Sequence, residues 1–121
     1  MQLHNESNSE RRSNVRLRAE IRVSYSEYQS KLLTGYSLDL STGGIFLITT
    51  CPFDVDDIVK IRFYMPGEVE KAVSCNARVA WINHQDKWLK PESPTGVGLQ
   101  FVNLAPKDLC SIVKFLEAES A

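Results

Sequence analysis

Five of the seven arginines in this 121-residue chain, Arg11, Arg12, Arg16, Arg18 and Arg22, lie between Glu10 and Arg22, whereas the lysines are scattered. A guanidinium is a flat two-pronged donor that matches a phosphate or the paired acceptors of a guanine edge, so arginines clustered without lysines select a planar anionic partner. The same cluster also reads as a solubilising basic arm with no ligand. Further along, Asp39 and Ser41 stand two residues apart, followed at once by Thr42, Gly43 and Gly44. The carboxylate accepts hydrogen bonds, the hydroxyl donates or accepts, and the glycines permit positive φ or close approach of a flat ligand to the main chain. Asp, Ser and Gly are equally the residues of an ordinary hairpin turn.

Other chemistries find little support. His4 and His84 have no neighbouring nucleophile or carboxylate pattern, no Gly-rich loop ends in Lys-Ser or Lys-Thr, and no metal-ligand spacing occurs, so the chain does not read as an enzyme. Cys51, Cys75 and Cys110 are odd in number and far apart, which points to reduced thiols. The formal charge of -1 and pI of about 6.1 argue against a surface that coats nucleic acid, and the chain outside the arginine cluster is acidic on balance. The longest apolar run, Ile45-Phe46-Leu47-Ile48, is far short of a membrane span, and the polar N-terminus lacks a signal-peptide core. A cytoplasmic protein without membrane insertion is expected.

The elements that must position these residues are set by periodicity. A composition of 43% hydrophobic and 24% charged residues suits one globular domain. Residues 1–9 are polar and read as a flexible tail. Period-two alternation predicts strands at Ile21-Val23-Tyr25, Tyr36-Leu38-Leu40, Ile45 to Thr50, Val59 to Met65, a long one from Val69 through Val73, Cys75, Ala77 and Val79 to Trp81, and Val97-Leu99-Phe101. The second and third make a hairpin around Thr42-Gly43-Gly44. With Leu38 and Leu40 inward, Asp39 and Ser41 fall on the outer face. Pro106 then opens an amphipathic helix whose apolar face is Leu109, Ile112, Val113 and Leu116. The fold class is mainly β: a six-stranded antiparallel barrel over residues 19–104, preceded by an arginine-rich arm at 10–18 and capped by a C-terminal helix at 106–118.

Arg12 and Arg16, with Asp39-Leu40-Ser41-Thr42-Gly43-Gly44, resemble the paired RxxxR and [D/N]xSxxG motifs of the PilZ domain family, and Gly96-Val97-Gly98-Leu99-Gln100-Phe101 is similar to its late-strand signature. The resemblance covers roughly Glu10 to Leu116. It implies a barrel plus C-terminal helix that binds the bacterial second messenger cyclic di-GMP, with no other cofactor, and that signals to an unidentified protein controlling motility, pili or exopolysaccharide. Carried over by position, Arg12 and Arg16 would hold phosphates and the guanine Hoogsteen edge, Asp39 would accept from guanine N1 and N2, Ser41 would supply a hydroxyl, and Gly43 and Gly44 would keep the turn open. Arg11, just before RxxxR, goes in this family with a stacked ligand dimer and implies two ligands per chain. Trp81 has two readings: an aromatic platform for guanine, as in some relatives, or a core residue by its parity with Val73 and Val79. Arg18 and Arg22 form a second RxxxR, of which Arg22 reads as a solvated strand face. The alternatives are a PilZ-like interaction module without nucleotide and a small barrel binding single-stranded nucleic acid. Because the arm offers only Val15 and Leu17 as sizeable apolar groups, residues 1 to about 18 are expected to order only on ligand.

Overall fold

The computed structural model describes residues 16–27, 31–84 and 93–120. It contains seven strands and one helix in chain order: β1 (Leu17–Arg18), β2 (Arg22–Glu27), β3 (Leu33–Leu40), β4 (Gly44–Ile48), β5 (Ile58–Tyr64), β6 (Ala72–Asn83), β7 (Gly96–Phe101) and α1 (Pro106–Ser120). All pairings are antiparallel in the order β3-β2-β5-β6-β7-β4, and β4 pairs back onto β3, which closes a six-stranded barrel. The alternation that predicts the strands also fills the interior. Val23, Ile45, Leu47, Val59, Ile61, Phe63, Val73, Val79, Val97 and Leu99 are all buried, and Ile112 and Leu116 of α1 join them. Asp108 sits in the helix's first turn, where the dipole favours a carboxylate. Of the predicted helix face, Leu109 stays exposed.

Burial has a chemical consequence at Cys75. Loss of solvent, reinforced by the charge of Asp108, pushes its thiol up to about 11. Cys51, Cys75 and Cys110 form no disulfide among the described residues.

Three features depart from simple alternation. First, β1 is an additional strand, with Leu17 opposite Leu40 and Arg18 opposite Asp39. Leu17 is half-buried against the core, so the end of the predicted arm, expected to be disordered without ligand, is already part of the sheet. The rest of that expectation, at residues 1–15, lies outside the described residues. Second, the long strand starts at Ala72 rather than Val69, because the chain turns through Gly67 at φ 84 and leaves Val69 in solvent.

Third, the ladder slips once in β3, between Ser37 and Asp39, and once in β6, between Val79 and Trp81. Each slip inserts one extra residue, Leu38 or Ala80, and an extra residue reverses the inward-outward phase of the strand beyond it. Before the first slip Ser37 points inward and is buried, while Tyr36, expected inward, is 47% exposed. Ser37 is satisfied there: its Oγ accepts from the Ile21 N–H at 2.9 Å and donates to the Ala19 carbonyl. Leu38, expected inward, is the extra residue itself and does not join the core, and after the slip Leu40 points inward and Asp39 outward. In β6 the slip turns Trp81 out of the barrel and leaves Ile82 against the core.

Candidate functional site

The two slips bring one row of residues into line across the outer wall. Along the pairings Arg18 faces Asp39, Asp39 faces Phe46, Phe46 faces Gly98, and Gly98 faces Trp81, so five strands each contribute one position. Without the extra Leu38 and Ala80, Asp39 and Trp81 would share the inward phase of Ser37 and Val79. A cleft of about 90 Å³ opens along this row, lined by Arg16, Leu38, Asp39, Phe46, Trp81, Ser93 and Gly98.

At one end of the cleft, Arg16 Nη1 donates to Asp39 Oδ1 at 2.6 Å. Both side chains keep access to water, at 44% for Arg16 and 26% for Asp39. An exposed pair of this kind adds little to stability, so its donors and acceptors remain available to a competing ligand. Toward the other end lie two aromatic rings, Phe46 and Trp81, with centroids 5.3 Å apart and planes tilted by 38°. Phe46 is buried outside the core cluster, and Trp81 remains half-exposed. The core alternative for Trp81 is therefore excluded by the slip at Ala80.

The rings pack close against β7 at positions where it carries no side chains. A Cβ added to Gly98 would stand 2.0 Å from Trp81 Nε1, and one added to Gly96 would meet the Phe46 ring at 2.8 Å. The two outward glycines of Gly96-Val97-Gly98 thus make a bed for two aromatics, which the sequence signalled only as a glycine at alternate positions of a strand. Behind the bed, the Asn83 side chain donates to the Ser93 and Pro94 carbonyls at 3.3 and 3.0 Å and holds Ser93 at the rim. Gly98→Ala is expected to displace the indole at a cost of about 1–3 kcal/mol, as overpacking does. In a Trp88→Phe background the emission of Trp81 should shift to longer wavelength as the ring loses its bed. An unchanged spectrum would mean that Gly98 does not set the ring's position.

The expected turn residues behave differently from one another. Ser41 is not on the outer face but buried, and its Oγ accepts from the Gly43 and Gly44 N–H groups, both at 3.2 Å. The hydroxyl therefore shapes the β3–β4 turn. Neither glycine has positive φ, a conformation confined among the described residues to Asp56 and Gly67. Gly43 is open to solvent, whereas a Cβ at Gly44 would fall 2.0 Å from the Leu99 carbonyl oxygen, so Gly44 is required by the close passage of β7. Of the arginines, Arg16 reaches the cleft, Arg18 lies exposed at the head of the row, and Arg22 lines a separate groove. The side chain that Asp39 pairs with is Arg16, while Arg18 stands opposite Asp39 in the ladder and Arg22 lies away from it. Arg11 and Arg12 lie outside the described residues.

Comparison with solved structures places the chain beside two barrels. The Bacillus subtilis inhibitor of motility MotI/DgrA matches with a TM-score of 0.72 at 18% identity over 88% of this chain and 49% of its own, so the chain spans about half the length of that protein. The PilZ domain of CeSA from a cellulose-synthesizing bacterium matches with a TM-score of 0.57 at 17% identity over 88% of this chain and 99% of its own. At these identities the likeness concerns the fold. No curated protein matches the sequence. The model of the PilZ domain family matches residues 9–118, nearly the whole chain, and with the closed barrel, its C-terminal helix and the Arg16–Asp39 cleft this means that the chain belongs to the PilZ domain family.

Proposed function

We propose that this chain is a cyclic di-GMP receptor that passes its bound state to another protein. The observation that carries the reading is the Arg16–Asp39 contact at 2.6 Å, because it puts at one point the two groups a guanine needs. The guanidinium donates to the adjacent O6 and N7 acceptors, and the carboxylate accepts from N1 and N2. In the structure the two groups satisfy each other, and the ligand takes over both partners at once. Phe46 and Trp81 continue the same row, and the half-exposed indole offers a face for a guanine to stack on. Ser41 and Gly44 act by fixing the turn beside Asp39, and Gly43 leaves its outer side open.

Arg12 is four residues from Arg16, a reach of at most about 13–14 Å, and Arg11 and Arg12 supply further guanidinium groups for phosphates and a second, stacked ligand. Closing these residues over the ligand changes the surface beside β1, and that change is what a downstream protein reads. The reading is that of an adaptor, not an enzyme, and it places the protein in the bacterial cytoplasm, where the messenger is. Among the described residues no helix is long and apolar enough to cross a membrane, and no cluster of metal-binding side chains occurs.

Titration calorimetry tests the proposal. Cyclic di-GMP should bind far more tightly than cyclic di-AMP, whose adenine lacks the O6 acceptor and N2 donor, and about two ligands should bind per chain. Equal affinity for the two dinucleotides would remove the guanine-reading role of Arg16 and Asp39. An endpoint of one ligand would remove the role given to Arg11.

A further inference from the structure

A second concavity, of about 680 Å³, lies on the outer face of the sheet where β3, β2, β5 and β6 run side by side. It shares no residue with the Arg16–Asp39 cleft. Its charges are Arg22, Lys60 and Arg62, all exposed, and none of its lining residues carries a carboxylate. Among the described residues no ion pair involves any of the three. Three cations gathered without counter-charge on the wall of a chain that is slightly acidic overall are a local electrostatic feature, not a consequence of composition.

The register fixes how they are spaced. Arg62 faces Ser24 on one side and Ser74 on the other, and Ser24 faces Thr34, so one rung reads hydroxyl, hydroxyl, cation, hydroxyl. Lys60 stands on the next outward rung of the same strand, about 6.6–6.8 Å along it. Arg22 lies two residues before Ser24 on the adjacent strand, diagonal to Arg62. An extended polypeptide with acidic residues at alternate positions repeats its carboxylates with this same two-residue period, and the hydroxyls between the cations can bond to its main chain.

We infer that this groove docks an extended acidic segment of a partner protein. Two observations favour a protein over a nucleic-acid strand. The Tyr64 ring is already occupied, with the Arg62 guanidinium 5.8 Å from its centroid and Arg62 Nη2 donating to the Tyr64 hydroxyl at 3.3 Å. That contact competes with bases for the ring on which sequence-tolerant strand binding depends, and it holds the guanidinium in place for a carboxylate. The groove is also lined by Leu32, 65% exposed, an aliphatic group that a phosphate backbone does not use and that protein interfaces bury. The groove is concave, so it receives a segment rather than lying on a lipid surface.

The docking stands apart from nucleotide binding, and its test is chosen accordingly. Fluorescence anisotropy with the full chain would use a labelled peptide alternating Glu and Thr, a peptide of the same composition with its Glu residues in one block, oligo-dT of equal charge, and phosphatidylglycerol vesicles. The alternating peptide should bind best. Arg62→Glu and Lys60→Glu should each weaken it about fivefold or more, Arg62→Gln by less, and Lys114→Glu on α1 not at all. Unchanged cyclic di-GMP titrations and melting temperatures in these variants would separate a failure here from a failure of the nucleotide reading or of folding. Preference for oligo-dT, for vesicles or for the blocked peptide would overturn the inference. So would equal loss on Lys114→Glu, or no binding of the alternating peptide.

Discussion

Asp39→Ala is expected to weaken cyclic di-GMP binding by at least roughly tenfold, and Arg16→Ala by a similar factor. Hydrogen bonds to charged groups contribute about 1.5–3 kcal/mol, and each variant removes one side of a two-sided reading of guanine. The two losses should not add. Arg16 and Asp39 touch at 2.6 Å, so each single variant also frees its partner from a competing contact and is partly compensated, and the double variant should lose more than the product of the singles. Calorimetry on the four proteins of the cycle measures this directly. Thermal stability supplies the control, because an exposed ion pair contributes only about 0–1 kcal/mol to folding and the melting temperature should move by a few degrees at most. Wild-type affinity in both single variants would remove the cleft as the guanine site. A larger loss at Arg22 than at Arg16 would shift the reading to the second arginine pair.

Two adjacent glycines in one turn should respond oppositely to the same methyl group. Gly44→Ala places a Cβ 2.0 Å from the Leu99 carbonyl oxygen, and that oxygen belongs to β7 backbone held in the ladder, so it cannot swing aside as a side chain would. The chain must part β4 from β7, at a cost of about 1–3 kcal/mol or more. In a domain of this size each kcal/mol lowers the melting temperature by roughly 3–6 °C. Gly43→Ala meets nothing nearer than the Ser41 Oγ at 4.0 Å and has no positive φ to strain, so it should leave the melting temperature nearly unchanged. Differential scanning calorimetry of the two variants checks the contrast. Equal destabilisation would mean that the turn's conformation, not the approach of β7, makes both glycines necessary.

The barrel was legible because most of its strands bury one face only, and a buried face writes its period into the sequence: β5 alternates exposed and buried without a fault from Ile58 to Tyr64. The hairpin, the C-terminal helix and the outward placement of Asp39 were readable in the same way. Asp39 was placed correctly on an incomplete argument, since of the residues expected inward only Leu40 is so, Leu38 being the extra residue that lines the outer cleft and Tyr36 being exposed. What alternation cannot encode is the extra residue of a bulge, which turns Tyr36 outward and decides between the two readings of Trp81, whereas Ser41 departs because its hydroxyl turns in to the Gly43 and Gly44 N–H groups. Strand β1 was illegible for another reason. Two residues are too few to show a period, and Leu17 gains its burial from β3 and the core rather than from a pattern of its own. The groove at Arg22, Lys60 and Arg62 could not be read from spacing, because its cations come from two strands far apart in sequence.

The bulges at Leu38 and Ala80 also decide how many layers this part of the wall has. A barrel staves off water with a single greasy lining on its inside. Over the quadrant made by β3, β4, β7 and β6 the sheet is veneered on both sides, with Ile45, Leu47, Val97 and Leu99 within and Phe46 and Trp81 without. The outer veneer is unfinished at its edge, where the indole ends beside an ion pair. A flat aromatic ligand laid there extends an existing ply and asks nothing of the lining behind it. Occupancy can then be announced along the outside of the wall while the interior stays as it was.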